Sequence, residues 1–179
     1  MAGRTGTAVV LDVESGAILA AHRLDLAARR VVFPGSTVKP FVLLALLESK
    51  RLSLQDSLLC PIRLRIAENQ IDCSHPLRGG AFDPVAALAF SCNNFFAHFA
   101  PRLSPANLDA ALSRSGMTQP SGLATREATG QIFPSRNRDA HLLKALGKSG
   151  VTVTPLGLLA AYRKLALRVQ NAPPDEAPL

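Results

Sequence analysis

Residues 37–50 constrain this chain more than any other segment. Thr-Val-Lys-Pro-Phe-Val-Leu-Leu-Ala-Leu-Leu-Glu-Ser-Lys is an almost unbroken run of helix formers whose apolar positions cover nearly the whole circumference. Such a helix has almost no face to offer water, so the rest of the chain must wrap it, as happens to a central helix under a sheet. Its longest uninterrupted apolar run, residues 41–47, is far short of the roughly 20 residues that cross a bilayer.

Composition supplies the wrapping. With 179 residues, 47% of them apolar and 18% charged, the chain has the material for a sizeable core, which excludes disorder and collagen-like repeats. One domain is expected over residues 1–170. A flexible tail follows over residues 171–179, where prolines and acids cluster. The apolar residues 7–11 do not grow into a secretory signal, because Asp12 and Glu14 interrupt them. The expectation is a cytosolic chain or one whose upstream address is missing from this sequence.

The net charge of +7 raises nucleic-acid binding as one reading. Against it, the basic residues are scattered from Arg4 to Arg168, Trp is absent, and a single Tyr is available for base stacking. Attraction to an anionic surface such as a membrane or a wall polymer explains the charge as well. Cys60, Cys73 and Cys92, with His75, raise zinc. No C-x-x-C pair is present, so the spacing predicts no metal, and no cofactor is expected. Cys60 and Cys73 bracket a predicted hairpin and could form a disulfide across it in an oxidising compartment if the geometry permits.

Local signals order the chain. Residues 8–11 and 17–20 read as an opening β-hairpin joined by a turn-rich connector ending in Gly16. Ile62, Leu64 and Ile66 alternate with Arg63 and Arg65, a second, half-exposed hairpin. Asp83-Pro84, Ser104-Pro105 and Thr154-Pro155 each place a capping side chain before a proline, the start of a helix. Gly116 closes the second of these helices, and residues 119–137 read as an irregular loop.

The chemistry-bearing residues stand at helix boundaries. Ser36 and Lys39 are three positions apart at the mouth of the apolar helix, so hydroxyl and amine share one face of the first turn. Pro40 is tolerated there because the first N–H groups of a helix have no partner within it. The positive end of the helix dipole and burial both disfavour the ammonium form of Lys39. A neutral lysine beside a serine can take its proton, which a weak nucleophile needs. Further on, Ser91-Cys92-Asn93 offers a second hydroxyl to relay a proton and an amide to hold Lys39 and a substrate carbonyl. Without chemistry, Ser36 is a helix-entry serine, Lys39 extends its amine to water, and Ser91-Cys92-Asn93 is an interhelical turn.

S-x-x-K followed by an S-x-N element and a K-T-G-like element is the signature of penicillin-binding proteins and related β-lactamases, and the chain resembles their transpeptidase domains. Residues 8–20 resemble the opening hairpin of that family, 34–41 its nucleophile segment, 86–96 its second motif with flanks, and Glu127-Ala128-Thr129-Gly130 and 153–158 two later segments. The likeness runs in order over residues 7–167. It implies an α+β fold with helices packed on an antiparallel sheet, the sheet incomplete in this chain.

It also implies serine acyl transfer on D-alanyl-D-alanine stem peptides of peptidoglycan. Ser36 is the nucleophile, Lys39 its base, Ser91 the proton relay, and Asn93 positions Lys39 and the substrate. Implied ligands are stem peptides and β-lactams, with no nucleic acid. The implied place is the cell envelope, on the periplasmic face of the cytoplasmic membrane, beside an anionic membrane surface or a cell-wall complex. Lys148-Ser149-Gly150 fits K-T-G by letter, which would make it the substrate-binding third element. By position it directly precedes a segment that lies upstream of that element in the family. The expectation is therefore a mimic in a chain that stops before the third motif. Two other classes stay open: a non-catalytic remnant or interaction module of the same fold, and a basic nucleic-acid binder.

Overall fold

The computed structural model describes residues 6–76 and 80–171, so the expected tail beyond Asn171 lies outside the described residues. In chain order the elements are β1 (Ala8–Leu11), β2 (Ile18–His22), α1 (Leu24–Arg29), α2 (Lys39–Glu48), β3 (Arg65–Ile66), β4 (Asn69–Gln70), α3 (Pro84–Ala89) and α4 (Asn93–Phe99). Then come α5 (Pro105–Ser115), β5 (Gln131–Ile132), α6 (Arg138–Ala145), β6 (Val151–Thr152) and α7 (Pro155–Gln170). The fold is mixed: helices with small antiparallel sheets. Among the described residues no helix is long and apolar enough to cross a membrane.

The chain packs as two compact units. The first takes the described residues of Met1–Val32, Ser113–Ile132 and Thr152–Pro178. Its β1–β2 hairpin is antiparallel, Ala8 facing His22 and Val10 facing Ala20, with an irregularity after Val10. Arg163 of α7 ties down the hairpin turn by donating from Nε to Val13 O at 2.8 Å and from Nη2 to Glu14 O at 2.7 Å. Ala27, Ala28 and Leu156 form its buried centre, covered by Val9, Leu24, Leu123, Ala124 and Leu159. Thr154 caps α7 as expected, its Oγ1 accepting from Gly157 N at 3.0 Å.

The second unit takes the described residues of Phe33–Leu112 and Phe133–Val151. Here α2 lies against α3 and α4, and Phe41, Val42, Leu43, Ala45 and Leu46 are all buried. The sequence placed this helix under a sheet; within its own unit the partners that wrap it are helices, with Phe95, Phe96 and Phe99 of α4 supplying the bulk. Asp83 caps α3 through Ala86 N at 2.7 Å, and Ser104 caps α5 through Asn107 N at 3.2 Å. The β3–β4 hairpin is tight, Ile66 opposite Asn69, and its alternation holds: Ile66 is buried while Arg63 and Arg65 are exposed.

Candidate active site

All the candidate site residues fall in the second unit. Gly35–Val38 forms a short 3₁₀ turn that runs directly into α2, rather than the α-helical first turn expected from sequence. The reason is local. A 3₁₀ turn repeats every three residues, so Ser36 and Lys39 stack on one edge, and Lys39 N donates to Ser36 O. Pro40 then sits in the first turn of α2, where its missing N–H costs nothing. Ser36 is exposed; Lys39 is 1% exposed.

The Lys39 ammonium commits its three donors to the second motif: Ser91 O at 2.7 Å, Ser91 Oγ at 2.9 Å and Asn93 Oδ1 at 2.6 Å. The Phe96 ring centroid lies 5.3 Å from Nζ. Among the described residues no carboxylate pairs with Lys39. Burial lowers its pKa from 10.5 to about 8; Cys73 and Cys92 act in the opposite direction, and the Lys148 charge adds to the lowering. Ser91 has φ 52°, a left-handed conformation that a non-glycine residue adopts only when held there. Ser91 N donates to Leu88 O at 3.0 Å, while its carbonyl receives Lys39.

Asn93, the first residue of α4, joins three segments. Its Oδ1 receives Lys39, and its Nδ2 donates to Ile71 O and Asp72 O, both at 3.1 Å. The amide oxygen thus receives the lysine, and both amide hydrogens are engaged with the strand-end carbonyls. Sequence reasoning missed those carbonyls because a backbone acceptor carries no signal in side-chain letters.

Lys148-Ser149-Gly150 lies on a turn after α6, not on a strand. Gly147 N donates to Lys144 O and Lys148 N to Leu143 O, both at 2.9 Å, the paired bonds that end a helix at a left-handed glycine. Lys148 is the residue just past that glycine and is exposed. The same turn abuts the nucleophile loop: Gly35 N donates to Gly147 O at 2.9 Å, and a Cβ on Gly147 would stand 2.1 Å from Gly35 O. Two glycine backbones in contact bring the third candidate element beside the first.

Cys60, Cys73, His75 and Cys92 also converge in this unit. Their ligand atoms all lie within 4.8 Å of one another, although the linear gaps predicted no metal. The β3–β4 hairpin closes the first gap, and Asn93 fastens the end of that hairpin next to Cys92. Spacing rules built on C-x-x-C knuckles do not report a cluster assembled by tertiary contacts. The three cysteines are free thiols, with Cys60 Sγ 3.6 Å from Cys73 Sγ, so the disulfide considered from sequence is not formed.

Residues 6–172 match the family described as the penicillin binding protein transpeptidase domain, and the chain belongs to that family. In fold it is similar to PBP2 of Pseudomonas aeruginosa, solved in complex with WCK 5153, at 22% identity and a TM-score of 0.70, covering 85% of this chain and 41% of that one. It is also similar to PBP2 of Helicobacter pylori, at 20% identity and a TM-score of 0.78, covering 90% and 38%. The transpeptidase domain of Burkholderia pseudomallei penicillin-binding protein 3 compares at 20% identity and a TM-score of 0.78, covering 91% and 50%. The chain thus spans no more than 50% of each of these three solved chains. No curated protein matches its sequence.

Proposed function

We propose that this chain carries the acyl-serine transfer site of an envelope transpeptidase acting on the D-alanyl-D-alanine ends of peptidoglycan stem peptides, and that β-lactams acylate the same serine. The observation that carries the reading is the buried Lys39 amine, held by Ser91 and Asn93 and, among the described residues, by no carboxylate, one 3₁₀ turn from Ser36.

The chemistry follows from that arrangement. Ser36 Oγ attacks the carbonyl carbon of the penultimate alanine as its proton moves to the neutral Lys39 amine. Ser36 N–H, at the start of the helical turn where backbone donors lack intrahelical partners, supplies one half of an oxyanion hole. As the C–N bond breaks, the proton passes from Lys39 through Ser91 Oγ to the departing D-alanine amine. The acyl-enzyme is then released by an acceptor amine, which cross-links, or by water, which trims. Lys148, exposed on the turn beside Gly35, is a cation whose charge adds to the lowering of Lys39. The +7 charge suits an anionic membrane surface or wall polymer, and a cell-wall complex is the matching partner class.

A fluorescent penicillin tests the site. The wild-type chain should be labelled covalently, and Ser36→Ala should not. Label that survives Ser36→Ala overturns the nucleophile. A folded wild-type chain that never labels supports instead the non-catalytic module of the same fold.

A further inference from the structure

The outer face of the β3–β4 hairpin has no role in the proton transfers proposed above, yet it adjoins the second motif. We infer that this face is a subsite for a carboxylate carried by the peptide substrate upstream of its D-alanyl-D-alanine end, with Arg63 as the cation that receives it. The inference rests on the proposed reaction for the identity of the peptide and deepens it.

The ladder of the hairpin runs beyond its two-residue strands: Ile71 N donates to Leu64 O at 2.8 Å and Cys73 N to Ile62 O at 2.9 Å. Side chains alternate along such a ladder and cross-strand pairs share a face. Ile66 and Ile71 are accordingly buried, while Arg63, Arg65, Gln70 and Asp72 stand together on the other face. These four, with Leu64, line an open groove of about 270 Å³. Asp72 O accepts from Asn93 Nδ2 at 3.1 Å, and Asn93 Oδ1 receives Lys39. The groove therefore begins at the amide that holds the base.

Three of its polar side chains are already occupied. Arg65 donates from Nε to Ala67 O at 3.1 Å and from Nη2 to Glu68 Oε2 at 3.3 Å. Gln70 Nε2 donates to Asp72 Oδ2 at 2.7 Å, and Leu64 N donates to Asp72 Oδ1 at 2.9 Å. Arg63 is different: it is exposed, and among the described residues its guanidinium makes no hydrogen bond or ion pair. Its charge helps to hold Asp72 below the usual carboxylate range, after the bonds from Leu64 N and Gln70. A guanidinium in that position keeps its planar fork of donors for an incoming carboxylate.

The backbone before Arg63 is held in place. Ile62 has φ 67°, a left-handed conformation that is an outlier for a β-branched residue. Its carbonyl accepts from Cys73 N at 2.9 Å and from Asn94 Nδ2 at 3.2 Å, so α4 and the opposite arm of the hairpin both fix it. Conformations of this kind persist only where the surroundings over-determine them, and they collect at ligand-binding positions. The charges then select the ligand. Asp72 and Glu68 stand beside the two arginines, so a densely charged polyanion meets two carboxylates here, whereas a single peptide carboxylate meets one unpaired cation.

Equilibrium binding to the full Ser36→Ala chain tests this without acylation. The probes are two dye-labelled peptides, Glu-Lys-D-Ala-D-Ala and its isosteric counterpart Gln-Lys-D-Ala-D-Ala. The Glu peptide should bind about three- to tenfold more tightly at low salt, and the difference should shrink as salt is added. Adding Arg63→Gln should remove the preference while affinity for the Gln peptide stays within about twofold, which also reports a folded chain. Arg63→Glu should make the Gln peptide the tighter of the two. Equal affinities in the Ser36→Ala chain overturn the subsite, as does a preference that survives Arg63→Gln. Failure of both peptides to bind, in a chain whose Ser36 form is labelled by penicillin, overturns the subsite and leaves the reaction standing. An Arg63-dependent preference in a chain that penicillin never labels supports the subsite and overturns the reaction.

Discussion

Two lysines are fully buried in the same unit, and they are held in opposite ways. Lys144 of α6 meets the Asp109 carboxylate of α5, whose side chain is itself partly open to solvent. Among the described residues, Lys39 of α2 hydrogen-bonds to neutral oxygens of Ser91 and Asn93 and lies over the face of Phe96, with no carboxylate paired to it. A buried ammonium with a carboxylate has its charge compensated and serves to join helices. A buried amine with neutral acceptors alone is relieved of its desolvation cost by giving up a proton, which is what the lowering of Lys39 to about 8 expresses. The difference separates a lysine that holds the fold from one suited to moving protons.

Replacing each lysine by the nearly isosteric methionine tests this separation most severely. Lys39→Met should slow β-lactam acylation of Ser36 by about 10²–10⁴-fold, the usual worth of a general base, and it orphans no carboxylate. Its stability signature is also distinctive. Between about pH 8 and the ordinary value of 10.5, the unfolded chain holds a proton on Lys39 that the folded chain has released. Wild-type stability therefore gains a rising component as pH increases through that window, and Lys39→Met should lose it in urea midpoints measured at either end. Acylation within tenfold of wild type would remove Lys39 as the base.

The opposite pattern is expected at the other site. Lys144→Met leaves Asp109 without its charged partner and should destabilise the chain by about 1.5–3 kcal/mol, the range for a charged hydrogen bond. The lower figures for a buried pair apply because Asp109 keeps some contact with water. Urea denaturation measures the loss, and acylation per folded molecule should stay within a few-fold of wild type. A folded Lys144→Met chain that no longer acylates would erase the distinction between the two lysines.

The sequence distinguished these lysines in part. Ser36, Lys39, Ser91 and Asn93 were legible because each stands at a helix boundary marked by Pro34, Gly35, Pro40 or the Asp83-Pro84 start upstream, and punctuation of that kind is local. The hairpins at residues 8–20 and 62–71 were legible for the same reason. What escaped was tertiary. Nothing in the letters around Lys144 names Asp109, 35 positions away. The short helices α1 and α6 carry no such mark in the sequence reading, although Asn137 caps α6 through Ala140 N as a cap should. Linear spacing does not report the Cys60, Cys73, His75 and Cys92 cluster, because tertiary contacts rather than chain distance bring its atoms together. The identity of Lys148-Ser149-Gly150 depended on whether its backbone was a strand or a helix-ending turn, which three letters do not specify.

Asn93→Asp would make Lys39 resemble Lys144 by giving it a carboxylate. In the wild type the acylation rate should rise with pH through a midpoint at about 8, as the amine becomes neutral. The new negative charge favours the ammonium, so the midpoint should move up by about one pH unit, leaving about tenfold less neutral amine at pH 7. The pH profile of penicillin acylation reads this directly. A midpoint that stays in place would mean that some group other than Lys39 sets the profile.

Lys148→Met should produce the smallest change. Its like charge adds to the lowering of Lys39, but burial is the larger cause and remains after the substitution, while Cys73 and Cys92 continue to act in the other direction. The midpoint should rise by a few tenths of a pH unit, roughly a twofold loss of neutral amine at pH 7, and since Lys148 is exposed the difference should shrink as salt is added. The Asn93→Asp shift, made at contact distance, should persist in salt. If Lys148 instead binds the substrate carboxylate, its removal raises the β-lactam concentration needed for half-maximal acylation at every pH and leaves the midpoint where it was. The same variant therefore separates a cation that tunes the base from one that holds the substrate.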